Sequence, residues 1–114
     1  MTITVDTVRK IALGLPATTE KPCYGTPAWY VKGKLFARAL EDDRSVVVKV
    51  DFDERAALVD EAPESYAVTP HYQAYPMVIV RLPKVRADDL EERLVEAWRF
   101  CAPKRLLNEF DAQP

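Results

Sequence analysis

The chain has 114 residues, 48% of them apolar and 30% charged, which suits one domain over residues 1–114 that buries roughly two-thirds of its unfolded surface. Sixteen Lys and Arg face eighteen Asp and Glu, and a net charge of −2 argues against holding nucleic acid by charge alone. No apolar run approaches the ~18 residues that span a bilayer, and MTITVDTVRK lacks a basic stretch followed by an apolar one. We therefore expect no membrane partner and a cytoplasmic location.

Charge is unevenly spread. Residues 1–40 carry six Lys or Arg against two Asp or Glu, residues 41–64 carry three against nine, and the remainder balances at seven each, so a basic face on an acidic molecule is possible. Cys23 and Cys101 fit no metal or redox spacing and read as reduced thiols. No metal or cofactor is expected.

The first helix is predicted from Asp6 to about Leu15, because Val8, Ile11, Ala12 and Leu15 fall on one side at helical spacing. Pro16 then stops the ladder. Pro27 to Val31 and Lys34 to Leu40 read as strands joined by a tight Lys32-Gly33 hairpin, and Ser45 to Val50 as a third strand after the Glu41–Arg44 turn. Asp51 with Glu54 resembles a capping box opening a short helix, with Phe52, Ala56 and Val59 facing inward and Pro63 closing it. Tyr66 to Thr69 is a short strand, His71 to Pro76 a loop, and Met77 to Leu82 a strand. The last main helix is predicted from Asp88, with Glu91 in the box position and Leu90, Leu94, Ala97, Trp98 and Cys101 as its stripe; Lys104 to Phe110 adds a further helical turn. The order α-β-β-β-α-β-β-α predicts an α+β fold, an antiparallel sheet of about five strands with helices on one face.

The spelling from Leu-Gly-Leu-Pro through Glu20-Lys21-Pro22, Gly25-Thr26-Pro27-Ala28-Trp29, Lys34-Leu35-Phe36-Ala37-Arg38, Val48-Lys49-Val50, Thr69-Pro70-His71-Tyr72 and Ala102-Pro103-Lys104-Arg105-Leu106 resembles the MmcQ/YjbR-like proteins over nearly the whole chain. The resemblance implies a frataxin-like or secretion-chaperone-like α+β fold, and DNA binding through hairpins described as a double wing. It carries no catalytic residues.

Strand alternation sets the expected faces. Val46, Val48, Val50, Val78, Val80 and Leu82, with Leu35, Ala37 and Ala39, are expected beneath the helices. Lys34, Phe36, Arg38, Val47, Lys49, Met77, Ile79 and Arg81 are then expected on the open face, with Tyr30 near them. Cations interleaved with aromatics can hold phosphates and stack bases, although an antiparallel sheet commonly keeps one solvated face in any case. The hairpin lysines Lys32 and Lys34 are the candidate wing, and Lys104 and Arg105 candidate phosphate contacts, against the plainer readings of a soluble turn tip and a helix-dipole complement.

His71, the only histidine, is a candidate acid–base group beside Tyr72 and Tyr75 if Glu20 or Asp51 approaches it. A structural loop residue is the simpler account. The acidic groups Glu41, Asp42, Asp43, Asp51, Asp53 and Glu54 are a candidate cation site of the kind acidic ridges form in frataxin-type folds, but they lack calcium-loop spacing, and a solvated turn with helix caps is the simpler account. The chain is accordingly expected to be a non-enzymatic DNA-binding protein, the alternative being a protein-interaction or small-ligand module on the same sheet face around Trp29, Tyr30, Phe36 and Ile79.

Overall fold

The chain turns its first apolar stripe into helix α1, Val5–Leu13, opened by Thr4 and Thr7, whose hydroxyls and backbone cap one another, with Val5, Val8 and Ala12 buried. The helix stops two residues before the expected end, and Ala17 takes a left-handed φ of 56° that turns the chain into a strand. The structure is a computed structural model describing residues 2–112.

That strand, β1 (Thr18–Cys23), is absent from the sequence reading. Its spelling, Thr-Thr-Glu-Lys-Pro-Cys, has no apolar alternation because four of its six residues are exposed on an edge strand. Lys21 and Pro22 there blunt the open edge against further pairing. β1 is held instead by its neighbours: Glu20 accepts from Trp29 Nε1 at 2.9 Å and from Arg9 at 2.9 Å.

Two-residue turns join the next strands. Tyr24 and Gly25 (φ 52° and 83°) link β1 to β2, Thr26–Val31; Lys32 and Gly33 (φ 49° and 81°) link β2 to β3, Lys34–Ala39. Both are left-handed pairs whose twist matches the hairpin, and the second is where the sequence placed it. The Asp42 carboxylate accepts from the amides of Arg44 and Ser45 and from the Ser45 hydroxyl, which closes the turn into β4, Ser45–Lys49.

Asp51 caps α2 (Phe52–Glu61) as expected, accepting from the Glu54 amide at 2.8 Å. The inward face differs. Phe52 is 49% exposed and Ala56 is exposed, whereas Leu58, Val59 and Ala62 meet the core. Phe52 instead lies under the Arg55 guanidinium at 4.8 Å, so α2 docks by its C-terminal half.

β5 (Tyr66–Ala67) and β6 (Met77–Arg81) complete a six-stranded antiparallel sheet in the order β1-β2-β3-β4-β6-β5. The α+β class and the antiparallel sheet stand as expected, with six strands rather than five. α3, Ala87–Cys101, buries Leu90, Leu94, Ala97, Trp98 and Cys101 as predicted, and also Arg93. Its N-cap is Arg86, without a side-chain cap, so the Asp88–Glu91 box does not form and Asp88 and Asp89 serve the helix dipole instead. α4, Lys104–Asp111, folds back so that Phe110 meets Trp98 at 5.0 Å between ring centroids.

The helices and one sheet face enclose the main core around Trp29, Phe36, Leu90 and Trp98. A second, smaller cluster of Val47, Met77 and Ile79 lies on the opposite, outer face, joined by Leu35, Leu40, Ala67 and Tyr72. No helix among the described residues is long and apolar enough to cross a membrane.

Candidate functional site

A β-bulge decides where the candidate residues point. Trp29 pairs with Ala37 and Tyr30 with Leu35, which leaves Phe36 as an extra residue in β3. Phe36 and Ala37 therefore both face the helices, and alternation reverses before the bulge. Leu35 joins the outer cluster, while Phe36 is fully buried in the main core beside Trp29. Lys34 pairs with the buried Val31, and cross-strand partners share a face, so Lys34 belongs to the helix side. The expected outward placement of Lys34 and Phe36 is thus overturned, as is a binding role for the buried Trp29.

Arg38 does face outward, opposite Val47. It is not free to meet a long polyanion, since its side chain is only 8% exposed. The guanidinium donates to Cys23 O at 3.0 Å, to the Tyr72 hydroxyl at 3.2 Å and to Glu41 Oε2 at 2.7 Å. Arg81, on the same outer face opposite Ser45, donates to Pro63 O at 2.9 Å. Lys49 ends β4 and lines a cleft of about 300 Å³ with Glu54, Glu92, Arg93 and Glu96. Arg93 already pairs there with Glu54 and Glu92. By register Arg38, Lys49 and Arg81 keep the expected outer face and only Lys34 leaves it, but the bonds of Arg38 and Arg81 keep these cations from acting as one open surface.

A different set of cations does gather. The hairpin tip meets the start of α4, where Lys32, Pro103, Arg105, Leu106 and Glu109 line a cleft of about 400 Å³. Lys104 and Arg105 sit at the N-terminal end of α4, where the helix dipole disfavours cations, so the dipole account of them fails. Arg105 reaches Glu109 at 3.7 Å; Lys32, Lys34 and Lys104 have no carboxylate within ion-pair distance among the described residues. Lys34 and Lys49 both act on the Cys101 thiol, which donates to Leu35 O at 3.5 Å.

Burial pushes the Cys101 thiol up from its ordinary value, and the two lysines only partly oppose this. Cys101 is therefore expected to resist iodoacetamide at pH 8 in the native protein, while the less buried Cys23 reacts. Mass spectrometry of the labelled peptides checks this, and equal labelling rates before unfolding would contradict the buried placement.

The outer face holds a second cleft, of about 500 Å³, between the β1–β2 turn and the loop before β6. Tyr24, 89% exposed, lies over the Arg38 guanidinium at 5.4 Å. The opposite wall is His71 and Tyr72, in edge contact at 4.7 Å, and Leu40 and Ile79 are apolar lining. The Arg38 hydrogen bond holds the Glu41 carboxyl below its ordinary value. From the sequence, Tyr24 and Tyr72 carry no binding assignment, and Glu41 figures only in the acidic run considered for a cation. The available signal was Tyr24-Gly25 itself, a large aromatic in a left-handed turn position that favours Asn, Asp or Gly and costs other residues about 1–2 kcal/mol.

His71 has neither expected partner: Glu20 is engaged by Arg9 and Trp29, and Asp51 caps α2. Among the described residues no three His, Cys, Asp or Glu are grouped to hold a metal.

Residues 13–100 match the family model described as YjbR. The uncharacterized proteins Rv2570 of Mycobacterium tuberculosis (strain H37Rv) and Mb2600 of Mycobacterium bovis are each 35% identical to this chain over 125 residues, covering 94% of it and 95% of their own length. Among solved structures, the crystal structure of Deinococcus radiodurans protein DR2400, with a DUF419 domain, superposes with a TM-score of 0.76 at 26% identity, covering 86% of this chain and 78% of that one.

Proposed function

The chain belongs to the YjbR family, and from that membership we propose that it binds nucleic acid, using the basic end formed by the β2–β3 hairpin and the start of α4. The observation that carries the reading is the meeting of Lys32 with Arg105 across one cleft, from segments that are some seventy residues apart in the sequence. Lys34 and Lys104 lie two residues from Lys32 and one residue from Arg105 along the chain. Cations brought together at one end of an acidic molecule give it a local field that its net charge conceals. Phosphates are the matching ligand, because Lys and Arg contact the backbone whatever the base sequence.

The test is fluorescence anisotropy with labelled duplex and single-stranded DNA across a salt series. Four phosphate contacts on duplex DNA give log K against log salt a slope of about −3.6, so affinity falls roughly a hundredfold between 50 and 200 mM. Lys34→Glu is expected to flatten the slope by about one unit and to weaken all sequences alike. Arg81→Glu, opposite Ser45 and away from the hairpin, is expected to leave binding unchanged. Absence of binding at ~20 mM salt, where phosphate contacts are strongest, overturns the reading.

A further inference from the structure

Tyr24 is the most exposed of the large apolar side chains among the described residues, and it occupies a strained turn position rather than a place in the core. Left-handed backbone at a bulky residue persists only where the surroundings hold it, and such positions cluster at ligand contacts. Here one face of the ring covers Arg38, and the side chain remains almost fully accessible beside the outer cleft. Arg38 is itself fixed by three partners from three segments, Cys23 O, the Tyr72 hydroxyl and Glu41, so the platform and the carboxylate are held in one arrangement.

The lining has a definite chemistry. Tyr24, His71 and Tyr72 offer π-faces, with Leu40 and Ile79 as apolar surface. Glu41 spends one acceptor position on Arg38 and keeps a side chain 68% exposed. A carboxylate has about four acceptor positions, so it can still take two parallel N–H donors. The Arg38 charge is already balanced by Glu41, which makes the cleft a poor trap for a bare anion. A flat ring that stacks and presents two adjacent donors suits it.

We propose that this outer cleft binds a nucleobase, with guanine favoured because its N1–H and 2-amino groups are the adjacent donor pair that a carboxylate accepts. The ring stacks beside Tyr24 and Tyr72, and Glu41 reads the donor edge. Adenine, cytosine and uracil each oppose at least one acceptor or lack the second donor at the corresponding edge. Arg38 is a positioning residue that orients Glu41. The site shares no residue with the basic end and stands whether or not that end holds phosphates. The base can arrive as a free nucleoside or within a single strand.

The experiment is a ¹H–¹⁵N NMR titration of the full chain with guanosine, adenosine and cytidine, and separately with a short single-stranded dG-containing oligonucleotide. Guanosine is expected to move the amides of Tyr24, Gly25, Glu41, His71 and Tyr72, with half-saturation below roughly 1 mM and weaker effects from the other two. Tyr24→Ala is expected to weaken guanosine roughly tenfold through loss of stacking. Glu41→Gln is expected to abolish the preference for guanosine over adenosine while shifts at the cleft remain. Both side chains are exposed, so both variants are expected to fold, and their unchanged spectra elsewhere verify it. Shifts with nucleoside and oligonucleotide alike support a site open to both sources; shifts with the oligonucleotide alone assign the base to a strand. If neither ligand moves these amides, or if Tyr24→Ala leaves the titration unaltered, the proposal is overturned. Shifts confined to residues 32–34 and 103–106 overturn it too, while leaving the phosphate-binding end intact.

Discussion

Phe36→Ala is expected to cost about 3–5 kcal/mol of folding stability, the usual range for removing a buried phenylalanine. The ring has 0% exposure and belongs to the main core, so its removal leaves a cavity that the surrounding side chains can only partly fill. Against a typical domain stability of about 5–15 kcal/mol, that is a large fraction of the whole. Regular alternation through β3 makes the opposite forecast, with Phe36 on the open face and its truncation nearly silent, within about 0.5 kcal/mol. Urea denaturation of Phe36→Ala and Leu35→Ala separates the two. The bulge requires the larger loss at Phe36, because Leu35 is only partly buried in the small outer cluster. A greater loss at Leu35 would mean that Phe36 is not the unpaired residue.

Arg55→Ala is expected to lose about 2–4 kcal/mol, although Arg55 lies in neither hydrophobic cluster. Its guanidinium donates to four carbonyls of the segment before and at the start of β6: Tyr75 at 2.8 Å, Gln73 at 3.1 Å, Met77 at 3.2 Å and Tyr72 at 3.3 Å. Charge-assisted bonds are each worth about 1.5–3 kcal/mol when their acceptor is left unpaired. Because three of the four share one nitrogen and the site is partly wet, the total falls well short of four times that value. The loop so gathered carries Tyr72, which packs on Val47, Met77 and Ile79 and accepts from Arg38. Loss of the clamp is therefore expected to lower the thermal midpoint by roughly 10 °C and to speed hydrogen exchange at the Tyr75 and Met77 amides. Arg55→Lys is expected to restore little, since an ammonium is a point donor and cannot span the four acceptors in a plane. A loss below about 0.5 kcal/mol would show that the loop holds its shape through its own turns.

These two residues frame the outer face between them. Phe36 sets which side chains of β3 reach it, and Arg55 holds the loop that walls it. The cleft and the basic end share no residue, which is why the phosphate-binding and base-binding readings can be tested apart.

Local signals determined much of the fold. The Lys32-Gly33 turn follows from glycine's freedom at positive φ next to two strand-forming runs, and the Asp51 cap from a carboxylate three residues before a free helix amide. The α3 stripe from Leu90 to Cys101 is periodic enough to name its core residues in advance. In each case the partners lie within a few residues, so the spelling itself contains the interaction.

Only the tertiary structure decided the rest, because the deciding partner lies far along the chain. β1 is a strand by virtue of β2 and of Trp29 and Arg9 gripping Glu20, and nothing in Thr-Thr-Glu-Lys-Pro-Cys states this. The bulge at Phe36 arises from the register between two strands, and one extra residue reverses every face assignment on one side of it. Arg38 was correctly placed outward, yet Cys23, Glu41 and Tyr72 remove it from solvent. Lys32 and Arg105 become neighbours only when α4 folds back toward the hairpin. Periodicity and capping are properties of adjacent residues, whereas register, burial of a charge and the meeting of distant cations are properties of the packed chain.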